Sequence, residues 1–245
     1  MEKNELTSSP FIRGKIQVIQ RKSGYRFNLD SILLAYFSKL KNNSKVIDLG
    51  TGSGILILLL NLKYKNIKFY AVEVQKSLYE IAKQNFKINN VEVNLFLENV
   101  KNIKNLFKNQ SFDFVITNPP FFKKEMAKAK NKEVQIGKAE VEGTLEDFIS
   151  ASSYLLKNSG KLFLINNIGR LSETIFLMKK YKIQPKRWRF VHPTINENAT
   201  NFLVEGIKGG KESGEIVERP LIIYEDPKNK IYTEELEYVL NVFTD

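Results

Sequence analysis

The sequence predicts an α/β fold built on a mostly parallel, doubly wound β-sheet. From Lys45 onwards, short apolar runs of strand length alternate with longer segments that have helical periodicity. A glycine-rich turn at residues 50–54 joins the first of these strands to the first of these helices. Parallel strands connected by helices bring their carboxyl ends to one edge of the sheet, where open α/β sheets bind ligands. We therefore expect the functional site at that edge.

Two elements are predicted before the alternating region. Residues 12–27 alternate in polarity and predict a β-hairpin, with residues 22–24 (Lys-Ser-Gly) in its turn. Residues 30–40 carry apolar side chains at helical spacing, with Asn28 or Asp30 as the N-cap.

The alternating region yields strands and helices in turn, except that no helix is predicted between the strands at 93–97 and 112–117. The predicted strands are residues 46–49, 67–72, 93–97, 112–117 and 161–166. The predicted helices are residues 55–65, 76–88, 144–156 and 171–181. Thr144 is placed to cap its helix, and Asp147 completes a capping box.

The alternation of strands and helices ends after residue 181. Residues 186–192 and 202–208 have no helix between them and are predicted to pair as an antiparallel hairpin, followed by a strand at 220–224 and a helix from Thr233. We expect a seven-stranded twisted sheet with one antiparallel edge strand, plus the N-terminal hairpin. The chain is predicted to form a single domain, with residues 1–29 as a hairpin extension, 30–210 as the core and 211–245 as a C-terminal strand and helix.

Composition excludes several kinds of chemistry. The 245 residues contain no cysteine and one histidine, His192, so disulfides, cysteine-based metal sites and multi-histidine centres are excluded. We expect no metal and a structural role for His192. The polar N-terminus shows no signal peptide, and the longest apolar run, Ile55 to Leu60, is too short to cross a bilayer. A cytoplasmic protein is the expectation.

The balance of charge favours a polyanionic partner. Thirty-eight Lys and Arg residues against 27 Asp and Glu residues give a formal net charge of +11. Nucleic acid is one explanation of this excess, and a general lysine-rich bias in composition is the other.

The segment Asp48-Leu49-Gly50-Thr51-Gly52-Ser53-Gly54 is the first candidate for a ligand site. Its glycines allow positive φ angles and a close approach of backbone to a ligand. Their spacing is G-x-G-x-G, whereas dinucleotide sites have G-x-G-x-x-G. Asp48 would repel a pyrophosphate and attract a cationic amino group. Glu73, at the end of the second strand of the alternating region, can accept hydrogen bonds from both ribose hydroxyls. Each acid alone could be a helix cap or a solvated strand end.

Together, the glycine loop and Val72-Glu73 resemble the S-adenosylmethionine signature of class I methyltransferases, which have a Rossmann-like fold. The resemblance implies S-adenosylmethionine as the cofactor. At the end of the third strand, Asn99 replaces the acidic residue with which this class usually meets the cofactor's adenine. The residues that the resemblance places at the cofactor are Asp48, Gly50, Thr51, Gly52, Gly54, Glu73, Val74, Asn99, Val100 and Asn118.

The segment Asn118-Pro119-Pro120-Phe121 follows the strand at 112–117 and is the candidate acceptor motif. An exocyclic amine is a poor nucleophile because its lone pair is delocalised into the ring. The Asn118 side-chain carbonyl and the Pro119 backbone carbonyl can each accept one N–H, which aims the lone pair at a methyl donor. Phe121 offers a face on which a base can stack. A Pro-Pro turn after a strand is the structural alternative, but the motif resembles the Asn-Pro-Pro-Tyr/Phe of methyltransferases that act on planar amino groups.

Further segments resemble the bacterial tRNA(Val) adenine-N6 methyltransferases. They are Gly24 to Asp30 (GYRFNLD), Gly143 to Asp147 (GTLED) and Arg189 to Pro193 (RFVHP). The resemblance implies methylation of the adenosine immediately 3′ of the anticodon, with Arg26 and Asp30 bordering the cofactor. Phe121 in place of Tyr keeps the stacking face and loses a hydroxyl. Lys138-Ala139-Glu140 stands where that family commonly has Arg-His-Glu.

Two basic segments are candidates for RNA contact. The residues concerned are Lys123, Lys124, Lys128, Lys138, Lys186, Arg187 and Arg189. For the run from Lys186 to Phe190, the alternative is an amphipathic edge strand with Trp188 and Phe190 in the core. We expect tRNA as the partner, no membrane association, and a monomer or dimer.

Four other functions remain open from the sequence. Glutamine N5-methylation of a release factor uses the same Asn-Pro-Pro motif, although the basic charge argues against it. Guanine N2-methylation of ribosomal RNA and adenine methylation of DNA are further enzymatic alternatives. A non-catalytic RNA-binding protein on the same fold is the fourth, and the intact Asp48, Glu73 and Asn118 argue against it.

Overall fold

The computed structural model describes residues 6–21, 29–120 and 143–244. In the first half of the chain, the strands are β1 (Leu6–Phe11), β2 (Ile16–Arg21), β3 (Lys45–Leu49), β4 (Lys68–Glu73), β5 (Val93–Leu97) and β6 (Phe112–Thr117). The remaining strands are β7 (Leu156–Asn167), β8 (Ile183–His192), β9 (Asn201–Lys208), β10 (Ile216–Val217), β11 (Leu221–Ile222), β12 (Tyr224–Asp226) and β13 (Ile231–Tyr232). The helices are α1 (Leu29–Phe37), α2 (Ile55–Lys63), α3 (Lys76–Ile88), α4 (Ile103–Leu106), α5 (Leu145–Leu155), α6 (Leu171–Lys180) and α7 (Glu234–Asn241).

The central sheet is mostly parallel, as predicted. Its strand order is β10-β8-β9-β7-β6-β3-β4-β5, with β11 also pairing β8, which makes nine strands. The predicted seven-stranded sheet is thus extended by the two short strands β10 and β11. The predicted antiparallel pair is β8 and β9, but β9 lies between β7 and β8 and not at the edge. The connection from β7 through α6 to β8 skips one strand position in the sheet. β9 occupies this position and pairs with the edge of β7, which would otherwise be unpaired.

The N-terminal hairpin is present, but its position was predicted wrongly. β1 and β2 pair from Leu6↔Arg21 to Phe11↔Ile16, so the turn lies at residues 12–15 and not at 22–24. Ile12 and Arg13 have φ angles of 49° and 48° in that turn. β1 reads as a loop in the sequence because its centre is Thr-Ser-Ser-Pro. The predicted turn at residues 22–24 lies outside the described residues.

The first helix also differs from its prediction. α1 ends at Phe37 and not at Leu40, and Asp30 lies in its first turn and not at the N-cap. The alternative cap, Asn28, lies outside the described residues. The predicted cap at Thr144 is confirmed, because the Thr144 side chain and the Asp147 carboxylate form a reciprocal capping box.

Helices cover both faces of the sheet and divide the core into two layers. α1, α2, α3 and α7 contribute to one layer, and α5 and α6 to the other. In α2, residues 55–60 are all buried, so the longest apolar run of the sequence is a core helix. Among the described residues, no helix has the length and apolar character needed to cross a bilayer.

Two asparagines on α3 hold the N-terminal hairpin against the domain. The Asn85 side chain accepts from the Ile19 N–H at 2.7 Å and donates to the Ile19 carbonyl at 3.0 Å. One turn later, Asn89 makes the same pair of bonds with Gln17, both at 2.8 Å. The Asn85 amide also donates to the carbonyl of Ser53, in the glycine loop, at 2.9 Å. The side chains of Asn85 and Asn89 thus form hydrogen bonds with β2 as a neighbouring strand would. Asn85 also joins β2 to the glycine loop.

We predict that Asn85→Leu lowers the free energy of unfolding by about 2–4 kcal/mol, because it leaves the partly buried N–H and carbonyl of Ile19 and the buried carbonyl of Ser53 without these partners. Urea denaturation of the whole chain measures this change. Asn89→Leu is the matched control: its bonds to Gln17 are exposed to solvent, so its loss should stay below about 1 kcal/mol. Equal effects of the two substitutions would contradict the assignment.

Candidate active site at the carboxyl edge of the sheet

Four neighbouring strands bring the predicted site residues to one edge. Leu49, the last residue of β3, pairs with Val72 of β4 on one side and Thr117 of β6 on the other. Glu73, at the end of β4, pairs with Leu97 at the end of β5. The glycine loop, Glu73, Asn99 and Asn118 therefore leave the sheet side by side, in the arrangement that the sequence predicted.

The glycine loop turns sharply between β3 and α2. Gly50, Gly52 and Gly54 have φ angles of 73°, 59° and 82°, in the left-handed region that favours glycine. A Cβ at Gly54 would lie 2.6 Å from the Phe86 ring, so the loop needs glycine there for space as well as for conformation. The N–H groups of Gly50 and Thr51 both donate to the Val72 carbonyl, which holds the loop against β4.

Asp48 is a buried carboxyl group directly below this loop. It is 2% exposed, and the Thr51 hydroxyl donates to it at 2.7 Å. Burial raises the pKa of Asp48 to about 7; the Thr51 hydrogen bond opposes this rise, and the Glu73 carboxylate adds to it. A cationic group beside Asp48 would offset both the burial and the repulsion, so the site is chemically suited to an ammonium ligand.

Glu73 is also buried, and its carboxylate connects two loops. One oxygen accepts from the Gly52 N–H at 2.9 Å and the other from the Gln75 N–H at 2.8 Å. These bonds fix the orientation of the carboxylate at the edge. A carboxylate has about four acceptor positions, so the oxygens can still accept from the hydroxyls of a ribose.

The end of β5 is shaped by Asn99. Its side-chain oxygen accepts from the Lys101 N–H at 3.0 Å and caps a 3-10 turn at Val100–Asn102. The Glu98 N–H donates to the Glu73 carbonyl at 3.1 Å, which joins this turn to the end of β4. The Val100 side chain is buried in the core, and Val74 is partly buried. Asn99 thus combines a local capping bond with the predicted position near a ligand.

The acceptor motif leaves β6 beside the glycine loop. The Thr117 hydroxyl donates to the Leu49 carbonyl at 2.8 Å and joins the two strand ends. The Asn118 side-chain oxygen is buried and has no hydrogen-bond partner among the residues that the structure describes. A buried acceptor without a partner destabilises a protein by about 1–3 kcal/mol. Such an acceptor is expected where a donor group of a ligand completes the site. Phe121 lies outside the described residues.

Arg170 supports this motif and was not singled out from the sequence. It is 5% exposed, it holds Glu173 through two hydrogen bonds of 3.0 and 2.8 Å, and it approaches the Pro120 carbonyl at 3.4 Å. Arg170 belongs to no recognisable sequence motif, so nothing in the sequence indicated its contact with Pro120.

Asp30 reaches the same edge from α1. The Asn201 amide approaches its carboxylate at 3.4 Å, and Asn201 pairs with Asn167 at the end of β7. The other predicted residues near the motifs, Arg26, Lys123, Lys124, Lys128 and Lys138, lie outside the described residues.

Arg187 and Arg189 are not the exposed RNA contacts that the sequence suggested. Arg187 is 8% exposed, forms an ion pair with Glu205 at 2.8 Å and stacks on the Phe37 ring. Arg189 is 7% exposed and is paired with Glu235. The alternative, an amphipathic edge strand with Trp188 and Phe190 in the core, is correct in part: Trp188 is buried and Phe190 is partly buried, but β10 and β11 pair with β8 on the side away from β9. Arg187 neutralises the buried Glu205, Arg189 pairs with the exposed Glu235, and both arginines have little surface left for phosphates.

The remaining predictions concern Lys186, His192 and metals. The Lys186 ammonium donates to the Lys211 carbonyl at 2.5 Å, and a ring nitrogen of His192 lies 2.8 Å from the Glu197 carbonyl. Both contacts stabilise loops. Within the part of the chain that the structure describes, no cluster of His, Cys, Asp and Glu could hold a metal ion.

Comparison with known proteins gives a match over most of the domain. Residues 26–183 match the methyltransferase small domain family. A tRNA1(Val) (adenine(37)-N6)-methyltransferase of Pseudoalteromonas translucida is 30% identical over 158 residues, which cover 63% of this chain and 65% of the relative. Its counterpart in Christiangramia forsetii is 22% identical over 203 residues, covering 81% and 84%. A release factor glutamine methyltransferase of Flavobacterium psychrophilum is 28% identical over 160 residues, covering 60% and 54%.

The chain spans less than two thirds of the length of the Pseudoalteromonas and Flavobacterium relatives. Among solved structures, a predicted O-methyltransferase of Agrobacterium tumefaciens superposes with a TM-score of 0.70 at 19% identity, covering 87% of this chain and 96% of that one. A ribosomal protein L11 methylase of Lactobacillus delbrueckii gives a TM-score of 0.52 at 17% identity, covering 73% and 77%. At these identities, the likeness to the two structures establishes the fold.

We predict that Asp48→Asn raises the melting temperature of the ligand-free protein at pH 8. The pKa of Asp48 is about 7, against an ordinary value of 3.8, so the folded state binds its proton more tightly than the unfolded state. Stability is therefore lost as the pH rises from about 4 to about 7, and the asparagine variant avoids that loss. Melting curves between pH 4.5 and pH 8.5 measure the difference, which should widen with pH.

Asp113→Asn is the control of opposite sign. Partial burial raises the pKa of Asp113, but hydrogen bonds from Lys157 and the Lys45 N–H outweigh it, and the net shift is downward. Its carboxylate therefore stabilises the fold at neutral pH, and Asp113→Asn should lower the melting temperature there. An Asp48→Asn variant that melts no higher than the wild type at pH 8 would refute the argument.

Proposed function

Because this chain belongs to the methyltransferase small domain family, we propose that it methylates N6 of an adenosine in tRNA with S-adenosylmethionine as the donor. The adenosine is the one immediately 3′ of the anticodon of a valine tRNA. The observation that carries the proposal is the buried Asn118 oxygen, which is unpaired among the described residues and directly follows β6, beside the glycine loop. An N–H donor placed there would complete the site.

The residues at the edge fit S-adenosylmethionine. The buried Asp48 carboxyl, with its raised pKa, suits the cationic amino acid portion of that molecule. The oriented Glu73 carboxylate suits the ribose, and the turn at Asn99 suits the adenine. The resemblance to the tRNA(Val) adenine-N6 methyltransferases implies that Arg26 and Asp30 border the cofactor as well. Bound there, S-adenosylmethionine supplies a methyl group whose carbon–sulfur bond breaks, with the electron pair left on sulfur, as the carbon–nitrogen bond forms.

On the acceptor side, the chain's own groups orient the amine. The Asn118 oxygen accepts one N–H of the amino group, and the Pro119 carbonyl accepts the other. This pairing favours a pyramidal nitrogen whose lone pair faces the methyl carbon, and the surplus proton leaves to solvent after transfer. Phe121 would stack on the base. The reaction needs alignment more than acid–base catalysis, so a site without histidine or cysteine suffices.

A tRNA substrate is supported by the relatives and by charge. Two of the relatives are named for methylation of adenine 37 in tRNA1(Val), and the formal net charge of +11 suits a polyanion. Since Arg187 and Arg189 are buried in ion pairs, phosphate contacts are assigned to the lysines that follow the acceptor motif. Glutamine methylation of a release factor is the second candidate, because one relative carries that name.

We predict that Asn118→Ala lowers kcat by about 100-fold or more and leaves the affinity for S-adenosylmethionine nearly unchanged, since the Asn118 oxygen acts chiefly in the transition state. Steady-state kinetics and calorimetry measure the two quantities. Asn118→Asp should be the milder change because it retains an accepting oxygen. Equal kcat values for the wild type and the alanine variant would refute the assigned role.

We predict that valine tRNA accepts methyl groups and that a variant with guanosine at the position 3′ of the anticodon does not. A base in a single-stranded loop is extruded at low cost, so loop RNA should also be methylated faster than duplex DNA. Transfer of radiolabelled methyl groups measures these rates. Equal labelling of both tRNAs, or faster labelling of a release factor, would show that the substrate is a different one.

A further inference from the structure

The buried polar atoms that lack a partner are not scattered through the fold. Among the described residues, the buried side-chain atoms without a hydrogen bond are Ser53 Oγ, Asn118 Oδ1 and Asn166 Nδ2. Ser53 lies in the loop after β3, Asn118 follows β6, and Asn166 lies near the end of β7. These three strands are neighbours in the order β7-β6-β3, so all three atoms belong to the carboxyl edge.

Asn166 differs from the other two residues because it lies in neither the glycine loop nor the acceptor motif. It is 0% exposed, and its side-chain oxygen accepts from the Asn167 N–H at 2.8 Å. Its amide nitrogen donates to no acceptor in the described part of the chain. Leu164 of β7 pairs with Thr117 of β6, so Asn166 stands two residues beyond that pair and Asn118 stands one beyond it. A buried acceptor and a buried donor thus end two adjacent strands.

Other buried polar groups close to Asn166 in the chain are paired. The Thr174 hydroxyl donates to the Arg170 carbonyl at 2.8 Å, and the Arg170 guanidinium is held by Glu173. The fold therefore satisfies polar groups in this region, and Asn166 is an exception. Buried polar atoms in native proteins are nearly always hydrogen-bonded, so each exception calls for an explanation.

We infer that the Asn166 amide donates a hydrogen bond to an acceptor atom of the substrate that neighbours the methylated amino group. Asn118 accepts an N–H, and Asn166 supplies an N–H, so together they complement a group in which a donor stands beside a lone pair. Adenine has this arrangement, because N6 is flanked by the ring nitrogens N1 and N7. An alkyl amine lacks the adjacent acceptor. Asn166 would thus be a specificity-determining residue, an inference that rests on the proposed function.

The test is a double-mutant cycle in which one change is made in the protein and the other in the substrate base. Wild type and Asn166→Leu, which is similar in volume and lacks the donor, are compared on valine tRNAs whose target is adenosine, 1-deazaadenosine or 7-deazaadenosine. We expect wild type to lose about tenfold in kcat/KM on one of the two analogues, the scale of one hydrogen bond. Asn166→Leu should lose about as much on adenosine and nothing further on that same analogue. Additive losses on both analogues, or full activity of Asn166→Leu on adenosine, would overturn the inference.

Two further measurements separate substrate contact from a structural role. Asn166→Leu removes an amide nitrogen that is unpaired among the described residues and an oxygen that accepts from the partly buried Asn167 N–H, so its melting temperature should fall only slightly below that of the wild type. A much lower melting temperature with equal losses on all three RNAs would show a structural role and overturn the inference. Thr174→Val is the matched control: it removes a buried polar group that is already paired, and its ratios among the three RNAs should equal those of the wild type.

The same assay distinguishes failure of the inference from failure of the proposed function. If wild type leaves the adenosine tRNA unmethylated and labels a release factor glutamine, the proposed substrate is wrong. The inference is then decided on that protein, whose side-chain carbonyl stands beside the amide nitrogen: reduced kcat/KM for Asn166→Leu supports it, and unchanged kcat/KM overturns it. If wild type labels neither substrate, both proposals are wrong.

Discussion

The parallel pairing of β3 with strands on both of its sides is the constraint on which the candidate site depends. Leu49 pairs with both Val72 and Thr117, so β3, β4 and β6 end at nearly the same level along the strand direction. Carbonyl and N–H groups beyond those pairs are no longer satisfied by the sheet and must be met by loops. Val72 receives two N–H groups of the glycine loop, and Leu49 receives the Thr117 hydroxyl. The loops are positioned by the same hydrogen-bonding demand that ends the strands.

Burial of two acids at this edge adds electrostatic strain to the geometry. Asp48 and Glu73 are both buried, and the Glu73 carboxylate disfavours ionisation of Asp48. Glu73 is compensated by two backbone N–H groups, whereas the bond from Thr51 does not outweigh the burial of Asp48. The protein therefore holds one carboxylate that two backbone N–H groups stabilise, Glu73, and one poorly compensated carboxyl, Asp48. A cation is the natural complement to the second.

The sequence predicted most of the core and less of its periphery. The bounds of α3, β5 and β6 agree with prediction because their periodicity is strong and their ends carry polar residues. β1 was missed since its polar centre is sheltered by pairing with β2 and not by its own composition. Buried arginines were mistaken for surface cations because a local pattern of cations and aromatics does not reveal carboxylates that are distant in sequence, such as Glu205 and Glu235. The same limit hid the contacts of Arg170 and Asn166, which depend on strand order.

The bond from Asn85 to Ser53 makes the N-terminal hairpin and the glycine loop parts of one network. One amide nitrogen serves both β2 and the loop, so disorder at either side weakens the same group of hydrogen bonds. By reciprocal linkage, a ligand that orders the loop also favours the docked hairpin, and anything that restrains the hairpin favours ligand binding by the same free energy. The hairpin and the loop thus share a hydrogen-bond donor, although the hairpin stands outside the central sheet.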